Sequence, residues 1–189
     1  RDGLPEWESL TVREQRLATM LFFAIWPRGG HESIADGWAH LRRHPAVVAE
    51  MLELLAIARE AIRHVPVPLR APVFADVPLS IHCRYSREEL LAGLGRATLE
   101  RTPASDMEGV RYVEHLDADV FTFMLQKTER HYSPTTLYRD YVMAQDLIHW
   151  ESQSTTSTTS RTGQRYLTHR ERGGHILLFA RETEKDDLG

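Results

Sequence analysis

Val65-Pro66-Val67-Pro68-Leu69-Arg70-Ala71-Pro72 divides the chain into two kinds of structure. Each proline lacks a backbone donor and pushes the residue before it toward extended geometry, so no helix can run through the stretch. Before it, apolar residues recur at three- and four-residue intervals; after it, the period shortens toward two. The expectation is an α+β chain: a helical unit over residues 1–64, a Pro-rich linker over 65–78, and a β-rich part over 79–189 arranged as a curved sheet or pseudo-barrel.

On the N-terminal side, Thr11-Val12-Arg13-Glu14 has capping-box spacing, in which hydroxyl and carboxylate each satisfy a free backbone N–H at a helix start. Leu17, Met20, Leu21, Ala24 and Ile25 then mark a helix to about Trp26, stopped by Pro27 and Gly29-Gly30. Ser33 to about Arg43 reads as a second helix. Pro45 opens a third that runs to about His64, with Val48, Met51, Leu52, Leu55 and Ile62 expected to face inward.

On the C-terminal side, Leu79 to Arg84 alternates as a strand, and Ser86-Arg87-Glu88-Glu89 is a second capping box before a short helix ending at Gly93 or Gly95. Val110 to Leu116 and Asp119 to Gln126 read as paired strands joined through Asp117, and Gly174 to Arg181 as a buried closing strand.

At 189 residues and 42% hydrophobic content the chain can bury a real core. A lone Cys83 rules out an internal disulfide and a Cys-built zinc cage, which fits a reducing compartment and makes the cytoplasm the expected location. No apolar run reaches the roughly 18 residues of a membrane span, and Arg1-Asp2-Gly3 does not begin a signal peptide. The missing initiator Met points to an excised or processed chain.

The net charge of −4 is unevenly spread. Residues 127–181 hold eight Lys and Arg against five Asp and Glu, a balance of +3 that leaves −7 for the rest. Two polar boxes lie in this basic segment: His131-Tyr132-Ser133-Pro134-Thr135-Thr136, and His149-Trp150-Glu151-Ser152-Gln153-Ser154-Thr155-Thr156. Neither follows an apolar period. Their hydroxyls, rings and flanking arginines suit a polar ligand, and nucleic acid is the first to consider.

In that reading Lys127, Arg130, Arg139, Arg161 and Arg165 hold phosphate oxygens, while Ser133, Thr135, Thr136, Ser154 and Thr155 fix register. Gln153 and Gln164 offer the paired donor and acceptor that a base edge requires; Tyr132, Tyr138, Trp150 and Tyr166 could stack on a base. His131 and Pro134 complete the first box, Pro134 beside Tyr132 shaping a niche for a modified base or a sulfur-bearing backbone. The plainer alternative is that Trp150 and Tyr141 are core aromatics and the hydroxyls cap turns.

Three runs carry a resemblance: His-Tyr-Ser-Pro-Thr-Thr-x-Tyr-x-Asp-Tyr from His131 to Tyr141, His-Trp-Glu-Ser-Gln-Ser-Thr-Thr-Ser from His149 to Ser157, and Thr-Gly-Gln-Arg-Tyr from Thr162 to Tyr166. They resemble a bacterial domain of unknown function found at the C-terminal end of superfamily-2 helicases of restriction and DNA-defence type, often with a phospholipase-D-like nuclease at the other end. Arg16 to Ala56 resembles the helical lead-in of that domain, and Ile176 to Glu182 its closing strand. The resemblance implies DNA as partner, together with helicase and nuclease domains of the same polypeptide. It supplies no catalytic set.

A metal-dependent nuclease is the competing class. Asp140 and Glu151 with His131, His149 and His169 could form a metal site, but their spacings are generic, and the phospholipase-D pattern of His, Lys and Asp is absent. His40 and His44 have i, i+4 spacing without a carboxylate motif beside them. Gly93-x-Gly95 lacks the third Gly and the Lys of a phosphate loop. No catalytic residue, metal or cofactor is therefore expected. A third reading has the acidic helical unit dock on a motor domain and relay whether DNA is engaged.

Overall fold

The computed structural model describes residues 3–27, 29–63, 65–97, 99, 109–125, 141–144, 146–153 and 156–181. The chain forms two compact units, Arg1–Pro103 and Ala104–Gly189. Helices dominate the first and strands the second, the α+β class that the change of period dictates.

In the first unit, α1 (Val12–Ile25) starts at Thr11 with both halves of the capping box formed. Glu14 accepts from the backbone N–H of Thr11 at 2.8 Å and from its hydroxyl at 2.7 Å. α2 (Ile34–Arg42) is capped by Ser33, and α3 (Pro45–Ala61) opens on Pro45, whose missing N–H costs nothing in the first turn. α4 (Arg87–Gly93) has its own complete capping box on Ser86 and Glu89. It packs on α1 at close range: a Cβ at Gly93 would lie 2.7 Å from the Leu79 side chain and 3.4 Å from the Met20 sulfur. Phe22, Phe23, Phe74, Val77, Leu79, Leu90, Leu91 and Leu94 fill the core.

The Pro-rich stretch lies inside this unit. β1 (Val67–Pro68) pairs antiparallel with β2 (Ser80–Ile81), and the chain between them is held to α1 by arginines. Arg13 donates to the carbonyls of Val77 at 2.6 Å and Ala75 at 3.2 Å, and Arg16 to that of Asp76 at 3.0 Å. The strand expected over Leu79 to Arg84 shrinks to two residues because His82 turns into the left-handed region at φ 65°.

The inward stripe expected on α3 is not buried. Val48 and Met51 are half-buried, Leu52, Leu55 and Ile62 are exposed, and α3 contains no buried residue. The physical reason is a missing layer: α2 is its main neighbour among the described residues, and one helix cannot cover so wide an apolar face.

In the second unit, β3 (Gly109–Val113) runs antiparallel to β4 (Ala118–Met124) through a 3₁₀ turn at Glu114–Leu116 and Asp117, which sits at φ 40°. β7 (His175–Arg181) lies parallel to β4 on its other side. Between β4 and β7 in sequence come β5 (Tyr141–Ala144), paired antiparallel with β6 (Leu147–His149), and α5 (Arg161–Leu167). Such an intervening segment is what a parallel return requires.

β4 is nearly all buried, whereas in β7 only Phe179 is buried and Leu178 is exposed; among the described strands the closing strand is an edge rather than an interior strand. The described strands form separate sheets of two, three and two strands, none closed into a barrel.

Candidate functional site

Of the polar tract after β6, the described residues 156–160 lead into the cap of α5. Ser160 is the helix N-cap: its hydroxyl accepts from Gly163 N at 3.0 Å and donates to the Ser157 carbonyl at 2.7 Å. Ser152 donates to the Thr156 carbonyl at 3.2 Å, and the Thr156 hydroxyl donates to Gln153 Oε1 at 3.3 Å. Gln164 Nε2 donates back to the Thr158 carbonyl. Gly163 allows the loop to close on the helix, since a Cβ there would stand 2.0 Å from the Ser157 oxygen.

α5 is fixed to the sheet by an ion pair. Arg165 donates from Nε and Nη2 to the two carboxylate oxygens of Asp119, each at 2.7 Å, a bidentate fork on a carboxylate only 2% exposed. Its guanidinium lies 4.2 Å from the centre of the Tyr112 ring. The bond to Asp119 raises the Arg165 pKa above its ordinary value. Tyr112 in turn donates to Asp117 Oδ1 at 2.7 Å, which raises its own pKa and secures the turn where His175 N meets the Asp117 carbonyl at 2.9 Å.

Beside the ion pair lies an aromatic triad. Phe121 is 4.3 Å from Trp150 and 5.1 Å from Tyr166, and Trp150 and Tyr166 stand edge to face at 5.8 Å. Burial raises the Tyr166 pKa. Trp150, Arg165 and Tyr166, all half-buried, therefore meet where α5 packs on β4, and Gln153 and Gln164 are bonded to the capping loop.

Lys127, Arg130, His131, Tyr132, Ser133, Pro134, Thr135, Thr136, Arg139, Ser154 and Thr155 lie outside the described residues, as does Tyr138. The surface that is described carries Arg161 at the start of α5, with Arg170 and Arg172 in the turn after it. All three are exposed, and no carboxylate among the described residues pairs with them.

Arg170 and Arg172 counted in the charge balance without being singled out as contacts. Asp119 was missed as a partner, although one carboxylate in Ala118-Asp119-Val120-Phe121-Thr122-Phe123-Met124 signals a buried charge that must be compensated. Among the described residues, no three His, Cys, Asp or Glu side chains gather as a metal site. No helix among them is long and apolar enough to cross a membrane.

Fold and site together define an α+β chain whose second unit presents an arginine-bearing helix on a three-stranded sheet. Residues 79–189 match the family described as Domain of unknown function (DUF3427), and the chain belongs to that family. The match takes in β2, α4 and the whole second unit, and α1 to α3 precede it. No curated protein and no solved structure matches the chain.

Proposed function

We propose that this domain recognises DNA without cleaving it, as a recognition or regulatory element of a restriction or DNA-defence helicase–nuclease, and that it reads modified base or backbone chemistry. The observation that carries the reading is the set of exposed arginines, Arg161, Arg170 and Arg172, which have no carboxylate partner among the described residues. Side chains that neutralise no protein charge are available to phosphate oxygens. Arg165, Trp150 and Tyr166 serve this surface by fixing α5 to β4, and the segment from Lys127 to Arg139 supplies further contacts.

The test is equilibrium binding of the full chain to plain, modified and single-stranded DNA over a range of salt. Each phosphate contact steepens the salt dependence by about 0.9 in log–log slope for duplex and about 0.7 for single strands. Replacing Arg161, Arg170 and Arg172 together by Ala should flatten the duplex slope by about 2 to 3. Salt-independent binding, or none to any form, refutes the proposal. Metal-dependent cleavage by the chain establishes the nuclease alternative instead.

The exposed apolar surface of α3 favours a second role for the first unit, docking on a motor domain.

A further inference from the structure

The hairpin of β5 and β6 carries an aromatic pair that lies outside the core. Tyr141 and His149 face each other across the strands, and their rings stack at 4.8 Å between centroids with 27° between planes. Neither ring is core: Tyr141 is 48% exposed, and the His149 side chain 40%. The Tyr141 hydroxyl has no hydrogen-bond partner among the described residues. Glu151 Oε1 lies 3.7 Å from His149 Nε2. One residue on, Trp150 is locked against Phe121 and Tyr166, so the chain that follows the pair is anchored to the sheet and to α5.

Two aromatic sets thus lie a residue apart and behave differently. Phe121 is buried with Trp150 and Tyr166 half-buried against it, whereas Tyr141 and His149 stack outside that cluster, in a hairpin that also exposes Val142, Met143 and Leu147. A half-exposed ring braced from behind by a second ring is already ordered, so stacking on it costs little further side-chain entropy. Exposed aliphatic side chains alone would suit a protein partner. The flat pair, joined through Trp150 and Tyr166 to the helix that begins with Arg161, suits a base whose strand runs on to cations.

We infer that Tyr141, stacked on His149, is a platform for an unpaired base of single-stranded DNA whose phosphates meet Arg161, Arg170 and Arg172. The inference rests on the DNA-binding reading above and adds the strand state of the ligand. A paired base keeps its faces within the duplex stack, so the platform selects single strands or an extruded nucleotide.

The test is fluorescence anisotropy of the full chain with a labelled oligo-dT and with a duplex of equal length at one salt concentration, for the parent, Tyr141→Ala, Tyr141→Phe and His149→Ala. Tyr141→Ala should weaken oligo-dT binding by about 5- to 150-fold, the range that corresponds to loss of one base–aromatic stack. Tyr141→Phe, which keeps the ring, should bind as the parent does. His149→Ala should fall between them, and duplex affinity and cooperative thermal unfolding should be retained throughout.

Parent-like oligo-dT binding by Tyr141→Ala overturns the platform while leaving DNA binding intact. Equal losses in Tyr141→Ala and Tyr141→Phe overturn it as well, since a ring alone would then not suffice. Failure of the parent to bind either DNA removes the DNA reading itself.

Discussion

Replacing Arg165 by Ala tests the account of how α5 is held. The substitution removes both charge-assisted bonds to Asp119, at 2.7 Å each, and strips the cation from the Tyr112 ring. What remains is a carboxylate 2% exposed, without its partner. Removing one partner of a buried ion pair costs about 3 to 5 kcal/mol, chiefly for the uncompensated charge left behind. The Arg165 side chain is itself 18% exposed, so water reaches part of the site and the lower end, about 3 kcal/mol, applies. At a urea dependence of about 2 kcal/mol per molar, the denaturation midpoint should fall by about 1.5 M. The cost comes from the stranded charge, so Asp119→Leu combined with Arg165→Met should recover most of the loss. Arg161→Ala, on the exposed face of the same helix, should stay within about 0.5 kcal/mol of the parent. A midpoint for Arg165→Ala indistinguishable from that of Arg161→Ala, or a double variant no better than the single one, would refute the reasoning.

Two further outcomes separate local preference from packing. Helix propensity alone makes Gly163→Ala stabilising by about 1 kcal/mol, but the new Cβ would sit 2.0 Å from the Ser157 oxygen, so the melting temperature should fall, at a net cost of about 1 to 3 kcal/mol. His40 lies between His31 and His44, with ring centroids at 5.1 and 4.8 Å, and Trp26, Asp36 and Arg43 are also near it. Desolvation, then the neighbouring imidazoles and Arg43, lower its pKa below the ordinary 6.5, against a smaller opposing pull from Asp36. The folded state therefore favours neutral His40: its contribution to stability is full above the unfolded pKa and is lost as pH falls through the folded one. Melting curves between neutral and mildly acidic pH should show that decline, and His40→Phe should reduce it.

Much of the fold could be read along the chain because its signals are local. Thr11, Ser33 and Ser86 cap the helices that their spacing announces, and Asp117 turns β3 into β4, since a cap or a tight turn is decided by residues within a few positions of each other. The apolar stripe on α3 was equally readable, but whether anything covers it was not. Leu79 to Arg84 alternates well enough to suggest a strand, yet His82 at φ 65° ends it after two residues. The site divides in the same way. Arg165, Trp150 and Tyr166 stood out as an unusual cluster, and the same types, Arg, Trp and Tyr, serve a ligand or a core equally well.

By itself, the sequence of this chain determined where its helices start, where its period changes and which segment is basic, because these depend on neighbours in the chain and on composition. Only the tertiary structure decided that Arg165 spans 46 positions to neutralise Asp119, that Trp150 and Tyr166 pack on Phe121, and that Tyr141 and His149 stack outside that cluster. The reason is physical. The role of a polar or aromatic side chain is set by which distant backbone comes within a few ångströms of it, and β4, whose partners β3 and β7 come from opposite ends of the unit, brings those groups together.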